Sequence, residues 1–297
     1  MKIGVGAFID ESTAPPDQIG RKCEALGFES IWLPEHPVMP TGFAPPQSSV
    51  SDRVFEKNEI PDWYTRIPDP FVTLMAVAAA TTRLRLGTGV CLVPEHEPIT
   101  LAKTVATLDF FSGGRFEFGI GAGGIRQESE AMGVDFRRRW VMTREYIRAM
   151  KELWTKPEAS FEGRFLKFPA VISNPKPAHK PHPPIFIGAG GLNWKRERAI
   201  HDTVAIGDGW MPVTLPPKDL ASDLAVMKQL CAEAGRDFNQ LEITMTFLQQ
   251  AELQPQDPKR ALAEYAEAGA HRMILAPVLD RNNAERALER TVKDYLS

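Results

Sequence analysis

Cysteine is scarce in this chain and shows no pairing pattern. Cys23, Cys91 and Cys231 stand far apart, are odd in number and form no CxxC. That excludes a disulfide framework and a cysteine-ligated metal centre, and it points to structural thiols in a reducing compartment. A basic excess is also missing. The 35 lysines and arginines against 38 aspartates and glutamates leave a net charge of −3, whereas proteins that bind phosphate backbones carry a basic stripe. No apolar run approaches the ~20 residues of a membrane span, and the opening "MKIGVGAFIDES" turns acidic too soon for a secretory signal. The six histidines are scattered, and the first predicted strand continues as "AFIDE" where a barrel hydrolase would place an HxH pair. No metal is therefore expected. These absences lead to the expectation of a soluble, cytoplasmic protein with no nucleic acid and no membrane partner.

What is present is an alternation. "KIGVGAF" reads as a strand, and "PDQIGRKCEALGF" follows with helical spacing at Ile19, Cys23 and Leu26 and Gly27 placed to end the helix. "SIWLPEH" precedes "DPFVTLMAVAAATT", with Asp69 as N-cap and Pro70 in the first turn. "LRLGTGV" precedes "PITLAKTVATLDFFSGG", and "RFEFGIGAGG" precedes "RRWVMTREYIRAMKELW". Four more pairs begin at "PIFIGAGG", "GWMPV", "LEITMTFL" and "HRMILAP". Eight right-handed strand–helix units close most simply into a (β/α)8 TIM barrel; an open doubly wound sheet is the alternative. One domain over residues 1–297 is expected, with insertions at 37–68 after strand two and at 155–184 before strand five. The first insertion is proline-rich and carries Trp63 and Tyr64, and it reads as a lid over the barrel mouth. The second holds a hairpin-like "SFEGRFLKF" and the stiff "NPKPAHKPHPP".

Barrel active sites lie where strands end at their C-terminal side. Glu35 and His36 end strand two, and an imidazole there can exchange protons near neutral pH. "GIGAGG" matches GxGxxG through Gly119, Gly121 and Gly124, but the acidic residue a Rossmann unit needs some twenty positions on would be Glu145, inside a predicted helix. The remaining physical content is two glycine-rich turns, after strands four and five, whose N–H groups suit a phosphate; tight turns alone explain them equally well. Arg137–Arg139 reads as a solvated helix start or as an anion site. His179 and His182 read as solvated or structural. Gly87 and Gly89 interrupt strand three, where glycine marks a bulge or a close approach.

In this order, "LGFESIWLPEH", "DPFVTLMAVAAATTRLRLGTGVCLVPEHEPITLAKTVATLDFFSGGRFEFGIGAGG", "EAMGVDFRRR", "NPKPAHKPHPPIFIGAGG" and "AIGDGWMPV" resemble the bacterial luciferase-like superfamily, in particular its probable coenzyme F420-dependent oxidoreductases. The resemblance runs from residue 1 to about 235. It implies a (β/α)8 barrel, usually a homodimer, that binds coenzyme F420 or FMN at its mouth. It also implies a non-prolyl cis peptide at Gly89–Val90 beneath the flavin ring and a catalytic role for His36. The implied cofactor contacts are Glu35, Gly89, Val90, Ala122, Gly123, Gly124, Gln127, Gly190 and Gly191.

Three positions depart from the family pattern. Gly124 stands where sugar-phosphate dehydrogenases carry a carboxylate, Ile125 where many relatives carry tryptophan, and "AGGLNWKRER" where many carry serines, so Lys195 or Arg196 is a candidate to supplement the phosphate pocket. The leading expectation is F420-dependent hydride transfer to or from a small organic substrate. The alternatives are a reduced-FMN monooxygenase using oxygen and a non-catalytic flavin-binding relative. Arg53, Lys57, Arg66 and Arg126 are candidates to meet the acidic tail of F420, and Phe8, Phe43, Trp63, Tyr64 and Trp210 to line an apolar pocket.

Overall fold

Most barrel strands here are short runs buried on both faces, as parallel strands wrapped by helices must be. The computed structural model describes residues 1–41, 62–189, 196–246, 257–277, 279 and 283–296, with backbone alone at 62 and 63. In chain order the elements are β1 (Lys2–Gly6), α1 (Pro16–Ala25), β2 (Ser30–Leu33), α2 (Pro70–Ala80), β3 (Arg85–Thr88), β4 (Cys91–Leu92), α3 (Pro98–Phe111) and β5 (Phe116–Gly121). Then come α4 (Arg126–Ala131), α5 (Arg139–Thr155), β6 (Ala159–Glu162), β7 (Lys167–Val171), β8 (Ile185–Ile187), α6 (Arg196–Ile206), β9 (Gly209–Trp210) and α7 (Pro217–Glu233). β10 (Glu242–Thr246), α8 (Pro258–Glu267), β11 (Arg272–Leu275) and α9 (Ala284–Tyr295) complete the chain.

The parallel order β3-β2-β1-β11-β10-β9-β8-β5 closes on itself through β3–β5, where Leu86 faces Phe116 and Gly87 faces Glu117. β4 continues the third barrel strand beyond the Gly89–Val90 peptide, which is cis, as the resemblance implies. The architecture is the (β/α)8 barrel. Of the second insertion, β6 and β7 form the expected antiparallel hairpin. Glu145 anchors it, accepting N–H bonds from Arg164, Phe165 and Leu166 at 2.6–3.0 Å. This is the structural reason for an acid inside α5. Residues 42–61 of the first insertion lie outside the described residues.

Local signals explain the helix ends. Asp69 accepts from the Val72 N–H at 2.8 Å with Pro70 in the first turn, and Gly27 follows α1 at φ +85°. α1 lies close on α2 because Gly20 has no side chain; a Cβ there would stand 2.7 Å from Val77 Cγ1. Inside the barrel Trp32, Phe186, Met211 and Ile274 form a central layer, with the Trp32 and Phe186 rings edge-on at 5.6 Å. Below them the fully buried Arg272 is held by Glu117 (2.6 Å), Glu29 (2.8 Å) and Glu242 (2.9 Å). Burial alone would lower its affinity for a proton, but the charges of Glu117, Glu29 and Glu242 outweigh it and keep the guanidinium firmly charged.

The strand glycines answer to this packing. A Cβ on Gly87 would lie 2.2 Å from the Trp32 ring, and one on Gly119 would meet the Thr88 carbonyl at 1.9 Å. Val90 fills the space left by two others, since a Cβ on Gly188 or Gly121 would come within 2.2 or 2.7 Å of its methyl groups. Gly87 therefore makes room for Trp32 rather than for a ligand. Gly119 and Gly121 lie in β5 as packing residues, and the GxGxxG match is not a Rossmann turn.

Candidate active site

The mouth is built from the ends of β2, β3–β4 and β5. Gly89 N–H donates to Leu33 O at 2.7 Å, tying the interrupted third strand to β2 just before Glu35 and His36. His36 is mostly buried, and its Nδ1 lies 3.0 and 2.9 Å from the two oxygens of Glu128. Glu128 is fully buried on α4. Tyr64, in the 3-10 turn Asp62–Arg66 that ends the first insertion, lays its ring 4.5 Å from that of His36. Burial, with the charge of Glu128, pushes the Tyr64 phenol well above its usual range. The same end of the insertion, at Ile67 and Pro68, frames a small crevice with Phe8, Leu33 and Pro34.

Behind this pair lie more buried acids. Glu35 is 4% exposed; one oxygen accepts the Leu92 N–H at 2.6 Å and the other pairs with His96 Nε2 at 2.9 Å. Burial pulls the His96 imidazole down, but the hydrogen bond and charge of Glu35 outweigh it and hold His96 above its ordinary value. Glu95 accepts from the Ser129 hydroxyl at 2.8 Å, while its second oxygen is buried with no hydrogen-bond partner among the described residues. Its burial, then the charge of Glu128, push the carboxyl up to about 7. Cys91 joins Glu35 and His96 in a cluster whose ligand atoms lie within 4.8 Å of one another. Both Glu35 oxygens are already engaged and burial keeps the thiol protonated, so protons and N–H groups account for this cluster as it stands.

The turn after β5 has two sides. Gly123, at φ +80°, faces inward, where a Cβ would sit 2.7 Å from Glu95 Oε1. A Cβ on Gly124 would meet nothing within 4 Å, so this position opens onto free space. Among the described residues no protein acceptor takes the N–H groups of Gly123, Gly124 or Ile125. Arg139 braces the turn from α5, donating to Gly123 O at 2.9 Å and Phe136 O at 2.7 Å with its guanidinium 3.7 Å from the Phe136 ring centre. Burial, then the charges of Arg126 and Arg198, lower its pKa, so this side is electropositive. A turn with free amides, an open glycine and a cationic flank fits the phosphate of a flavin or deazaflavin.

The predicted site residues divide accordingly. His36, Gly89, Val90, Gly123 and Gly124 are partly exposed at the mouth, and Gln127 is exposed on α4. Ala122 is buried, leaving only backbone to offer, and Glu35 is committed to the wall behind. Gly190, Gly191, Lys195, Arg53, Lys57, Phe43 and the Trp63 side chain lie outside the described residues. Trp210 is core: it is fully buried and donates from Nε1 to Ala189 O at 2.8 Å. Arg66 pairs with Asp10 and Glu11, and Arg196 with Asp219 and Asp223. Neither arginine stands free for an anion. His179 and His182 are structural: the His179 backbone N–H donates to Asp109, and the buried His182 stays beside the Pro183 carbonyl. Glu95 and His96 were legible as residues just beyond strand three, whereas Glu128 and Ser129 were not. A larger groove, about 560 Å³, lies beside Lys2, Glu242 and His271 at the opposite end of the barrel, away from these groups.

The family model for luciferase-like monooxygenases matches residues 12–296. The chain belongs to this family. An uncharacterized protein of Mycobacterium tuberculosis is 37% identical over 239 residues, 80% of each chain. The F420-dependent glucose-6-phosphate dehydrogenase of Kineococcus radiotolerans is 28% identical over 231 residues, covering 75% of this chain and 60% of that protein. A monooxygenase from Streptomyces bottropensis shares the fold across all of this chain and 99% of its own, with a TM-score of 0.74 at 21% identity. The family thus contains both deazaflavin- and flavin-dependent oxidoreductases. No described helix is long and apolar enough to cross a membrane.

Proposed function

We propose that this protein is an F420-dependent oxidoreductase that transfers a hydride to or from a small organic substrate, as one domain and as a cytoplasmic homodimer. The observation that carries the reading is His36 at the end of β2, with Nδ1 held by Glu128 and Nε2 without a partner among the described residues, the ring nitrogen a substrate would meet. A bound deazaflavin would supply the redox chemistry, while the protein orients and excludes water. Gly89 and Val90 would support the ring, and the turn at Gly123, Gly124 and Gln127, with Gly190 and Gly191, would hold the phosphate. His36 takes a proton from the substrate at Nε2 in one direction and returns it in the other. Tyr64, at the end of the first insertion, covers His36 from one side.

The likeness to the F420-dependent dehydrogenase, which extends over 231 residues, is in keeping with a deazaflavin. The test is titration of apoprotein with F420 and, separately, with FMN, followed by fluorescence. F420 binding with little or no FMN binding is expected; tight FMN binding without F420 binding overturns the reading in favour of an oxygen-using monooxygenase. In the loaded enzyme, His36→Ala should cut turnover by about 10²–10⁴-fold with cofactor affinity retained. Unchanged turnover would remove His36 from the reaction.

A further inference from the structure

A histidine at a barrel mouth can present either ring nitrogen, and the choice decides whether it accepts or donates when neutral. Here the choice is made from behind. Both oxygens of Glu128 are within 3.0 Å of His36 Nδ1, and Glu128 is fully buried. Glu128 must be ionised to act as a pure acceptor, yet it lies among buried acids. The neighbouring Glu95 resolves that conflict. Its Oε1 already takes the Ser129 hydroxyl, its Oε2 is buried with no partner among the described residues, and it sits within the field of Glu128 and Glu35. Two close buried carboxylates do not both ionise readily, and the one lacking a cationic or N–H partner takes the proton. That one is Glu95, because Glu35 has Leu92 N–H and His96 and Glu128 has His36.

We propose that Glu128 is the positioning residue of this site: its carboxylate keeps the proton of neutral His36 on Nδ1 and so presents Nε2 as a proton acceptor, while Glu95, the acid without a cationic or N–H partner, is the member of the buried cluster that takes a proton most readily. The role of His36 itself rests on the oxidoreductase reading above. Glu128 touches neither substrate nor cofactor, and acts by orienting the imidazole and by stabilising the imidazolium formed when Nε2 takes a proton. No net charge is created, since the proton that reaches Nε2 leaves the substrate and returns in the reverse reaction.

The test needs no cofactor. The full chain, labelled with ¹⁵N-histidine, is observed by imidazole NMR, with His36 assigned by its loss in His36→Asn. Wild type should show neutral His36 as the Nδ1–H tautomer. Glu128→Gln should lower the Nδ1–H to Nε2–H ratio by about tenfold, the difference between a charge-assisted and a neutral hydrogen bond. Glu128→Asp should restore much of it. Glu95→Gln, a neutral mimic of the protonated acid, should leave it in place. An Nε2–H tautomer in wild type overturns the proposal even if Glu128→Gln fails to fold. An unchanged ratio in Glu128→Gln, or a collapse in Glu95→Gln, overturns the roles given to those residues. In the loaded enzyme Glu128→Gln should lose about 10²-fold in kcat with KM little changed. Unaltered NMR behaviour alongside an inactive His36→Ala would sink the positioning role alone. The expected tautomer alongside a fully active His36→Ala would sink the reaction assignment alone.

Discussion

Replacing Glu95 by glutamine reads the charge state of the buried cluster through stability. The folded chain holds the Glu95 proton up to about pH 7, against an ordinary value of 4.5, because burial and the charge of Glu128 oppose ionisation. The folded form therefore binds this proton more tightly than the unfolded form. The penalty is absent below about pH 4.5, grows as pH rises through the interval and is complete above about 7. A shift of that size corresponds to roughly 3 kcal/mol in full, of which roughly 2 kcal/mol accrues between pH 5.5 and 8.

Glutamine has the shape of the protonated acid and still accepts from Ser129, so the variant loses the slope and keeps the packing. His96, raised by Glu35, also costs stability as pH rises, but it is present in both proteins. Urea unfolding followed by tryptophan fluorescence at pH 5.5 and 8 should show wild type losing about 2 kcal/mol more than Glu95→Gln. Parallel pH dependences within about 0.5 kcal/mol would refute the reasoning, because surface-like behaviour lies in that range.

Two further outcomes test the packing. Gly188→Ala should cost about 1–3 kcal/mol by overpacking, because its Cβ would press on Val90 Cγ1 at 2.2 Å. Adding Val90→Ala should recover part of that loss in urea unfolding, and strict additivity would show that Gly188 and Val90 do not contact. Arg272→Met should cost roughly 3–5 kcal/mol by leaving Glu117, Glu29 and Glu242 as unpaired acids. Thermal unfolding at neutral pH checks this, and a stabilised variant would show that the arginine adds specificity rather than strength.

The barrel was legible because its signals are local. Asp69–Pro70 and Gly27 carry their helix ends in neighbouring residues, and the eight short apolar runs each fit a strand buried on both faces. His36 was legible from its place at the end of strand two and, like the Gly89–Val90 bond, through the family pattern, and both fall at the mouth. The glycines were legible only as interruptions. That Gly87 yields to Trp32, and Gly121 and Gly188 to Val90, depends on side chains from other strands.

Glu128 was hidden for a related reason. It stands in "RQESEA", a six-residue helix shorter than two turns, which shows no periodicity to mark its inner face. Glu130, two residues on, is exposed, while Glu128 is fully buried against His36. By itself the sequence determined the strand–helix alternation, the element ends and the histidine at the mouth, all set by spacing along one stretch of chain. Only the tertiary structure decided which carboxylate lies against that histidine and which one is pushed up toward neutral pH, because burial and mutual charge arise where β2, α4 and the turn after β4 meet.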